Sequence, residues 1–190
     1  RGQTMLTGVH VLLTYACTYA CDHCFLYSSP EAEGTFTWPR LQRLLDQAAR
    51  VGTVERVYFE GGEPFLYYRL MLAGIEKARD LDFEVGVVTN AYWALSAEDA
   101  ELWLRPLARR GVADLSISDD AFHGSDAADS PAKTALAAAR RLQLPTLAIC
   151  IDRPDAESGA GGGDPRGESV VGGRALLKGR AVETLAPDLP

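Results

Sequence analysis

The chain has 190 residues, of which 47% are hydrophobic and 24% charged, the make-up of a globular domain with enough material for one substantial core. Its formal net charge of -7 works against a bare phosphate-binding surface, because an acidic field repels nucleic acid at every approach inside the Debye length. The apolar run Val9 to Leu13 is too short for a signal-peptide core or a membrane span. A cytoplasmic protein with no nucleic-acid or membrane partner is therefore expected, and a start at Arg1 rather than Met reads as a trimmed piece.

Val9 to Thr14 (VHVLLT) is a short, mostly apolar run, and runs of the same kind return at Val54 to Glu60, Phe83 to Thr89, Ala113 to Ser118 and Pro145 to Ile151. Near-continuous apolar strands read as parallel and covered on both faces. Between them Pro39 to Val51 puts Leu41, Leu44, Leu45 and Ala48 on one helical face, and Phe65 to Leu81, Ala97 to Arg109 and Pro131 to Leu142 behave alike. Thr37 before Trp38-Pro39, Ser96 three residues ahead of Asp99 and Ser130 before Pro131 mark helix starts, and Gly52 and Gly111 mark stops. The alternation predicts an α/β fold of repeated βα units around a parallel sheet.

A full eight-unit barrel takes about 250 residues, or roughly 31 per unit, so this chain has room for about six. Five strands are recognisable, which leaves one sheet edge unpaired. Asp152 to Gly167 (DRPDAESGAGGGDPRG) supports no packed element and reads as a flexible loop over residues 153–167. Gly161 to Gly163 lacks the lysine and the strand-to-helix setting of a phosphate cradle. Ser169 to Leu185 is a short helix or strand, which the sequence leaves undecided. The expected organisation is a core over residues 1–152, the loop 153–167, and an incomplete C-terminal extension of the core over 168–190: a partial (βα)6 TIM-like barrel of five to six units.

Three of the four cysteines crowd into Cys17-Thr-Tyr-Ala-Cys21-Asp-His-Cys24, directly after the first strand. Such clustering suits metal binding in a reducing compartment better than a disulfide framework. A closed zinc site wants four ligands, and the fourth would have to be His23, wedged between two ligands, or the distant Cys150 or His123. Thiolates favour iron–sulfur clusters, and a cubane on three protein ligands keeps one iron free for a substrate or cofactor.

The C-x3-C-x2-C loop resembles the signature of the radical S-adenosylmethionine (SAM) superfamily. That family's glycine-glycine-glutamate-proline turn after the second strand stands intact at Gly61-Gly62-Glu63-Pro64; a plain βα turn explains two glycines but not the cysteines upstream. The resemblance covers roughly residues 9 to 152. It implies a [4Fe-4S] cluster on Cys17, Cys21 and Cys24 whose open iron is chelated by SAM, and reductive cleavage of SAM to a 5′-deoxyadenosyl radical that abstracts hydrogen from a substrate. It also implies an electron donor such as flavodoxin or ferredoxin. The acidic surface and the tail suggest a peptide or protein as substrate, with small molecules left open.

Carried over by the same resemblance, His23 occupies a position whose aromatic ring packs near the adenine. In the Gly61 to Pro64 turn, glycine lets backbone carbonyls approach the SAM amino group and proline fixes the turn. Asn90, after Thr89 at the end of the third strand, serves the methionine end of SAM or the strand geometry, and Ser118 and Asp119, at the end of the fourth, serve its ribose or carboxylate. Ala91 stands where relatives often have glycine. Asp120 reads as the start of a solvated loop, and with His123 it makes only two metal ligands. Cys150, inside Leu147-Ala-Ile-Cys-Ile151, reads as a core thiol, His10 as structural, and Asp152 as a substrate contact at the barrel mouth. Lys178-Gly-Arg-Ala181 resembles the approach to an auxiliary-cluster domain found in some relatives, so the chain reads as cut before that extension. The rival reading is an inactive iron–sulfur or metal-binding remnant, or a partner subunit.

Overall fold

The computed structural model describes residues 5–123, 130–152 and 172–188. Strands β1 (Gly8–Thr14), β2 (Arg56–Gly61), β3 (Glu84–Thr89), β4 (Asp114–Ser118), β5 (Thr146–Asp152) and β6 (Gly172–Arg174) lie side by side in chain order. Every neighbouring pair is parallel. Helices α1 (Trp38–Val51), α2 (Tyr68–Asp80), α3 (Ala97–Arg109) and α4 (Pro131–Arg141) fill the first four crossovers, and a short α5 (Ala181–Thr184) follows β6. Spatial order equal to chain order, with helical crossovers, is how a (βα) barrel wraps. The described residues make a partial barrel of six strands.

The predicted punctuation operates as expected. Ser96 caps α3 by accepting the Asp99 N–H at 3.0 Å, Ser130 caps α4 by accepting that of Lys133 at 3.3 Å, and Gly52 closes α1 at φ 75°. Leu13, Phe59, Val87, Leu115 and Ile117 of the sheet meet Leu41, Leu45, Met71, Ile75, Leu104 and Leu107 of the helices, all fully buried. Each such side chain contributes roughly 1.5–3 kcal/mol of burial energy. Among the described residues no helix is long and apolar enough to cross a membrane.

Three expectations are corrected. Phe65 to Leu81 is not one helix: Glu63 accepts the Phe65 N–H, which closes a 3-10 turn over Pro64–Tyr67 before α2 starts at Tyr68. There are six strands rather than five, and β6 pairs with Cys150 to Asp152, so β5 is not the sheet edge. Two of the three β6 residues are glycine, which gives no hydrophobic signal; the stretch left undecided at 169–185 contains both a strand and a helix. Strand β5 is half-buried to exposed along its length, unlike β2 to β4. Cys150 is accordingly an exposed thiol that donates to the Asp119 carbonyl at 3.1 Å, not a core residue. Asp152 is the last residue of β5 and also exposed. The loop expected at 153–167, with Gly161 to Gly163, lies outside the described residues.

Candidate functional site

The C-terminal ends of β1 to β4 open onto a cleft, and the turn from β2 shows how tightly its wall is built. Gly61 sits at φ 129°, and a Cβ there would lie 2.5 Å from the Thr14 carbonyl oxygen; one on Gly62 would lie 2.0 Å from that of Ala16. The Gly62 N–H donates to Thr14 at 2.7 Å and the Glu63 N–H to Ala16 at 2.8 Å. The space freed by the missing side chains is thus filled by the chain that leads into Cys17, and glycine is required by that approach. Gly62→Ala is expected to lower iron incorporation and SAM affinity together, because it displaces Ala16, the neighbour of Cys17. Normal iron content with weakened SAM binding, measured on the reconstituted variant, would contradict this coupling.

Glu63 has no exposed surface and its carboxylate points into the turn. It accepts from Phe65 N–H at 2.9 Å, Asn90 N–H at 2.8 Å and the Thr89 hydroxyl at 3.0 and 3.1 Å. Thr89 Oγ1 in turn accepts from Ala91 N–H and Trp93 Nε1–H, both at 3.1 Å, so its hydrogen is directed to Glu63. The carboxylate therefore locks the β2 turn to the end of β3 and does not face the cleft. Pro64 is buried beside it and starts the 3-10 turn. Ala91 holds the left-handed region at φ 59°, the conformation in which glycine is favoured.

Asn90 links this lock to the cysteine loop. Its Nδ2 donates to Thr18 Oγ1 at 3.0 Å and lies 3.5 Å from Cys17 Sγ, while its Oδ1 accepts from the Tyr92 N–H. Gly61, Gly62, Asn90 and Ser118 line the cleft together with Cys17, Cys21, Cys24 and His23. Asp119 is not among the lining residues; its Oδ1 is buried with no partner among the described residues.

The donor set distinguishes one kind of inorganic body from another. Cys17 is buried and Cys21 and Cys24 are half-buried. Burial pushes the Cys21 thiol up to about 12, helped by Cys17, Cys24 and Asp120, and burial also raises Cys17 against a Tyr19 N–H bond. The Cys17 and Cys21 thiols, so held back from ionising, call for strong positive charge beside them. A single zinc with ~2.3 Å Zn–S bonds holds its sulfurs about 3.8 Å apart. Among the described residues the ligand atoms that gather within 4.8 Å of one another are those of His23, Asp120 and His123, not the three sulfurs. The thiols are spread for a body larger than one ion, as a cubane is. His23 Nδ1 and Ser28 Oγ, in residues that line the same cleft, are buried without a partner among the described residues, polar atoms available to a bound group.

Asp120 is only 7% exposed, a correction to its reading as a solvated loop residue. It accepts from His123 Nδ1 at 2.7 Å, Phe122 N–H at 3.1 Å and Ile151 N–H at 3.3 Å. Burial pushes its carboxyl up, but the His123 hydrogen bond and the neighbouring imidazoles outweigh this and hold it below the ordinary value. His123 Nε2 reaches to 3.4 Å from Cys21 Sγ. The His23 ring packs on Phe122 with centroids 4.3 Å apart, and burial, then His123, lower its pKa. The sequence also missed the residues after β6: Arg180 and Thr184 bond to carbonyls of the cysteine loop. Only the Lys178 to Ala181 motif pointed there, and for a different reason.

Three convergent thiols beside a glycine turn, at the C-terminal mouth of parallel strands, define a partial α/β barrel with a metal pocket. Residues 11–145 match the Radical SAM superfamily, and the chain belongs to that superfamily, whose members use a [4Fe-4S] cluster and SAM. The chain is 26% identical over 133 residues to the "Putative peptide biosynthesis protein YydG" of Bacillus subtilis (strain 168), covering 70% of this chain and 42% of that one. It is 30% identical over 86 residues to an S-adenosylmethionine-dependent nucleotide dehydratase of Selenomonas ruminantium, covering 45% and 30%. The crystal structure of BtrN in complex with AdoMet and 2-DOIA shares the fold with a TM-score of 0.57 at 15% identity, over 78% of this chain and 58% of that one. The chain thus spans less than half the length of the two relatives.

Proposed function

We propose that this chain is the catalytic core of a radical SAM enzyme in which Cys17, Cys21 and Cys24 hold a [4Fe-4S] cluster, SAM lies in the adjoining cleft, and the substrate is a peptide or protein. The observation that carries this reading is the opening of three thiols, spread wider than one ion needs, onto the same cleft as Gly61, Gly62 and Asn90. Cys17, Cys21 and Cys24 would hold the cluster, which when bound would supply the electron for reductive cleavage of a sulfonium carbon–sulfur bond of SAM and so the means of hydrogen abstraction from the substrate.

The chain's own part is placement. Asn90 and the Tyr19 N–H orient Cys17, the Glu63 lock fixes Asn90, and the Gly61-Gly62 backbone would form the wall for the amino-acid end of SAM. Ser118, half-buried at the end of β4, offers a hydroxyl to the ribose or carboxylate, with Asp119 behind it, and the His23 ring offers a face for the adenine. The peptide reading is supported by the name of the Bacillus relative and by the net charge of -7, which disfavours an anionic nucleotide as substrate.

The test is anaerobic reconstitution followed by assays for iron, sulfide and 5′-deoxyadenosine. About four irons and matching sulfide per chain are expected, with 5′-deoxyadenosine formed from SAM under a low-potential reductant and faster with a pool of short peptides than with nucleoside triphosphates. Stoichiometric zinc without sulfide would sink the cluster; a full cluster that never yields 5′-deoxyadenosine would mark an inactive remnant.

A further inference from the structure

We infer that residues 172–188 act as a strap that sets the cysteine loop, and that Arg180 is its positioning residue for the iron–sulfur cluster; this rests on the reading that the three cysteines hold that cluster. The loop needs an external hold. Residues 20–28 contain no helix or strand, and few of their backbone groups pair within the loop, Cys24 N–H to the Cys21 carbonyl at 3.1 Å being one that does. Carbonyls in such a segment take up fixed positions only when donors from elsewhere bind them.

The strap supplies those donors. The Arg180 guanidinium donates through Nη1 to the Cys21 carbonyl at 2.8 Å and through Nη2 to that of Ser28 at 2.7 Å, and its backbone N–H donates to the Cys24 carbonyl at 3.0 Å. One residue thereby ties two cluster cysteines and the end of the loop. Thr184 Oγ1 donates to the Asp22 carbonyl at 2.8 Å, and the Tyr27 hydroxyl returns a bond of 2.8 Å to Glu183. Gly179, at φ 59°, lets the strap lie against the loop, since a Cβ there would come 2.5 Å from the Phe25 carbonyl group.

The strap is itself fastened to the barrel. The Ala175 N–H donates to the Asp152 carbonyl at 2.9 Å, and Ala175, Ala181 and Leu185 pack with Phe122 and Ile151 as a small apolar cluster apart from the main core. Residues 172–188 all lie beyond the residues that match the superfamily, which end at 145, so the strap is a contribution of the chain outside the shared motifs. The Arg180 guanidinium also sets a permanent positive charge against the Cys21 carbonyl. Cluster potential depends on net charge and on hydrogen bonding around the ligands, so removing that charge makes reduction harder.

The test compares wild type, Arg180→Met and Arg180→Lys as full chains, reconstituted anaerobically, with Arg105→Gln as a surface control. Three quantities are read: iron lost to a chelator, cluster midpoint potential, and alkylation rates of Cys21 and Cys24 in iron-free protein. Arg180→Met should lose iron about tenfold faster or more, since charge-assisted hydrogen bonds are among the strong ones, and should show a more negative potential and faster alkylation. Arg180→Lys should keep a near-wild-type potential, because the charge remains, yet lose iron at an intermediate rate, because one ammonium cannot fork to two carbonyls. If Arg180→Met does not fold, the Lys variant's split between potential and retention carries the test. Alkylation and potential unchanged in Arg180→Met would overturn the strap. A wild-type chain that takes up no iron and sulfide would overturn the cluster reading and the role of Arg180 toward it, whatever the alkylation rates.

Discussion

Alanine at any one of Cys17, Cys21 or Cys24 is expected to leave anaerobically reconstituted protein with less than about a tenth of the wild-type iron, because a cubane left with two protein thiolates has lost a third of its anchorage. Cys150→Ala should retain all of it. Cys150 lies on β5, exposed, with its S–H on the Asp119 carbonyl, and it does not line the cleft. The three losses will differ in a second respect. Cys17 is the buried member, engaged by the Tyr19 N–H and Asn90 Nδ2 at 3.5 Å, so Cys17→Ala should also lower the stability of iron-free protein, while Cys24→Ala should do so least. Iron and sulfide assays with urea unfolding of the same four variants check both statements. Iron loss in Cys150→Ala would make it a ligand, and full iron in any of the other three would remove that cysteine from the site.

The second large effect is expected at Glu63. Its removal in Glu63→Ala strands the Phe65 and Asn90 N–H groups and the Thr89 hydroxyl in a fully buried place. Each unsatisfied buried donor costs about 1–3 kcal/mol, so the loss of stability should exceed about 3 kcal/mol and be visible without cluster or SAM. The acid also titrates in an informative direction. Burial pushes the Glu63 carboxyl from 4.5 up to about 7, against the pull of Asn90, Phe65 and Thr89. A carboxyl raised on folding is favoured protonated, so its contribution is fully present below the unfolded value and is lost as pH rises through about 7. The stability advantage of wild type over Glu63→Gln, which cannot ionise, should therefore be larger at pH 5 than at pH 8. Urea unfolding of iron-free protein at the two pH values decides it; a constant difference would mean that Glu63 keeps one charge state throughout.

The barrel could be read from the chain because its strands are short apolar runs and its helices keep a 3.6-residue period bounded by Ser96, Ser130, Gly52 and Gly111. Strand β6 could not, since Gly172 and Gly173 carry no apolar side chain and pair through backbone alone. The cysteine and glycine motifs were legible as spacings, but their physical logic was not. That Gly62 is needed for the backbone of Ala16, and that Glu63 faces inward, are facts about neighbours far away in sequence. Asp120 looked like a loop residue for the same reason: its partners include the amide of Ile151, 31 positions on. Cys150 failed in the opposite way, because an apolar neighbourhood in sequence does not ensure that a strand is covered in space.

Arg180 and the Cys21 carbonyl it binds are 159 positions apart, which has a bearing on biogenesis. At about 5–20 residues per second, synthesis of that interval takes roughly 8–30 seconds. During that time the three cysteines have left the ribosome while the segment that organises their loop has yet to be made. Iron–sulfur transfer into the strapped geometry would have to follow synthesis of residues 179–184, and the nascent thiols are open to oxidation or stray metal in the interval. If the strap sets the loop as inferred above, whatever delivers the cluster in the cell would meet a receptive loop only after residues 179–184 have folded back onto it.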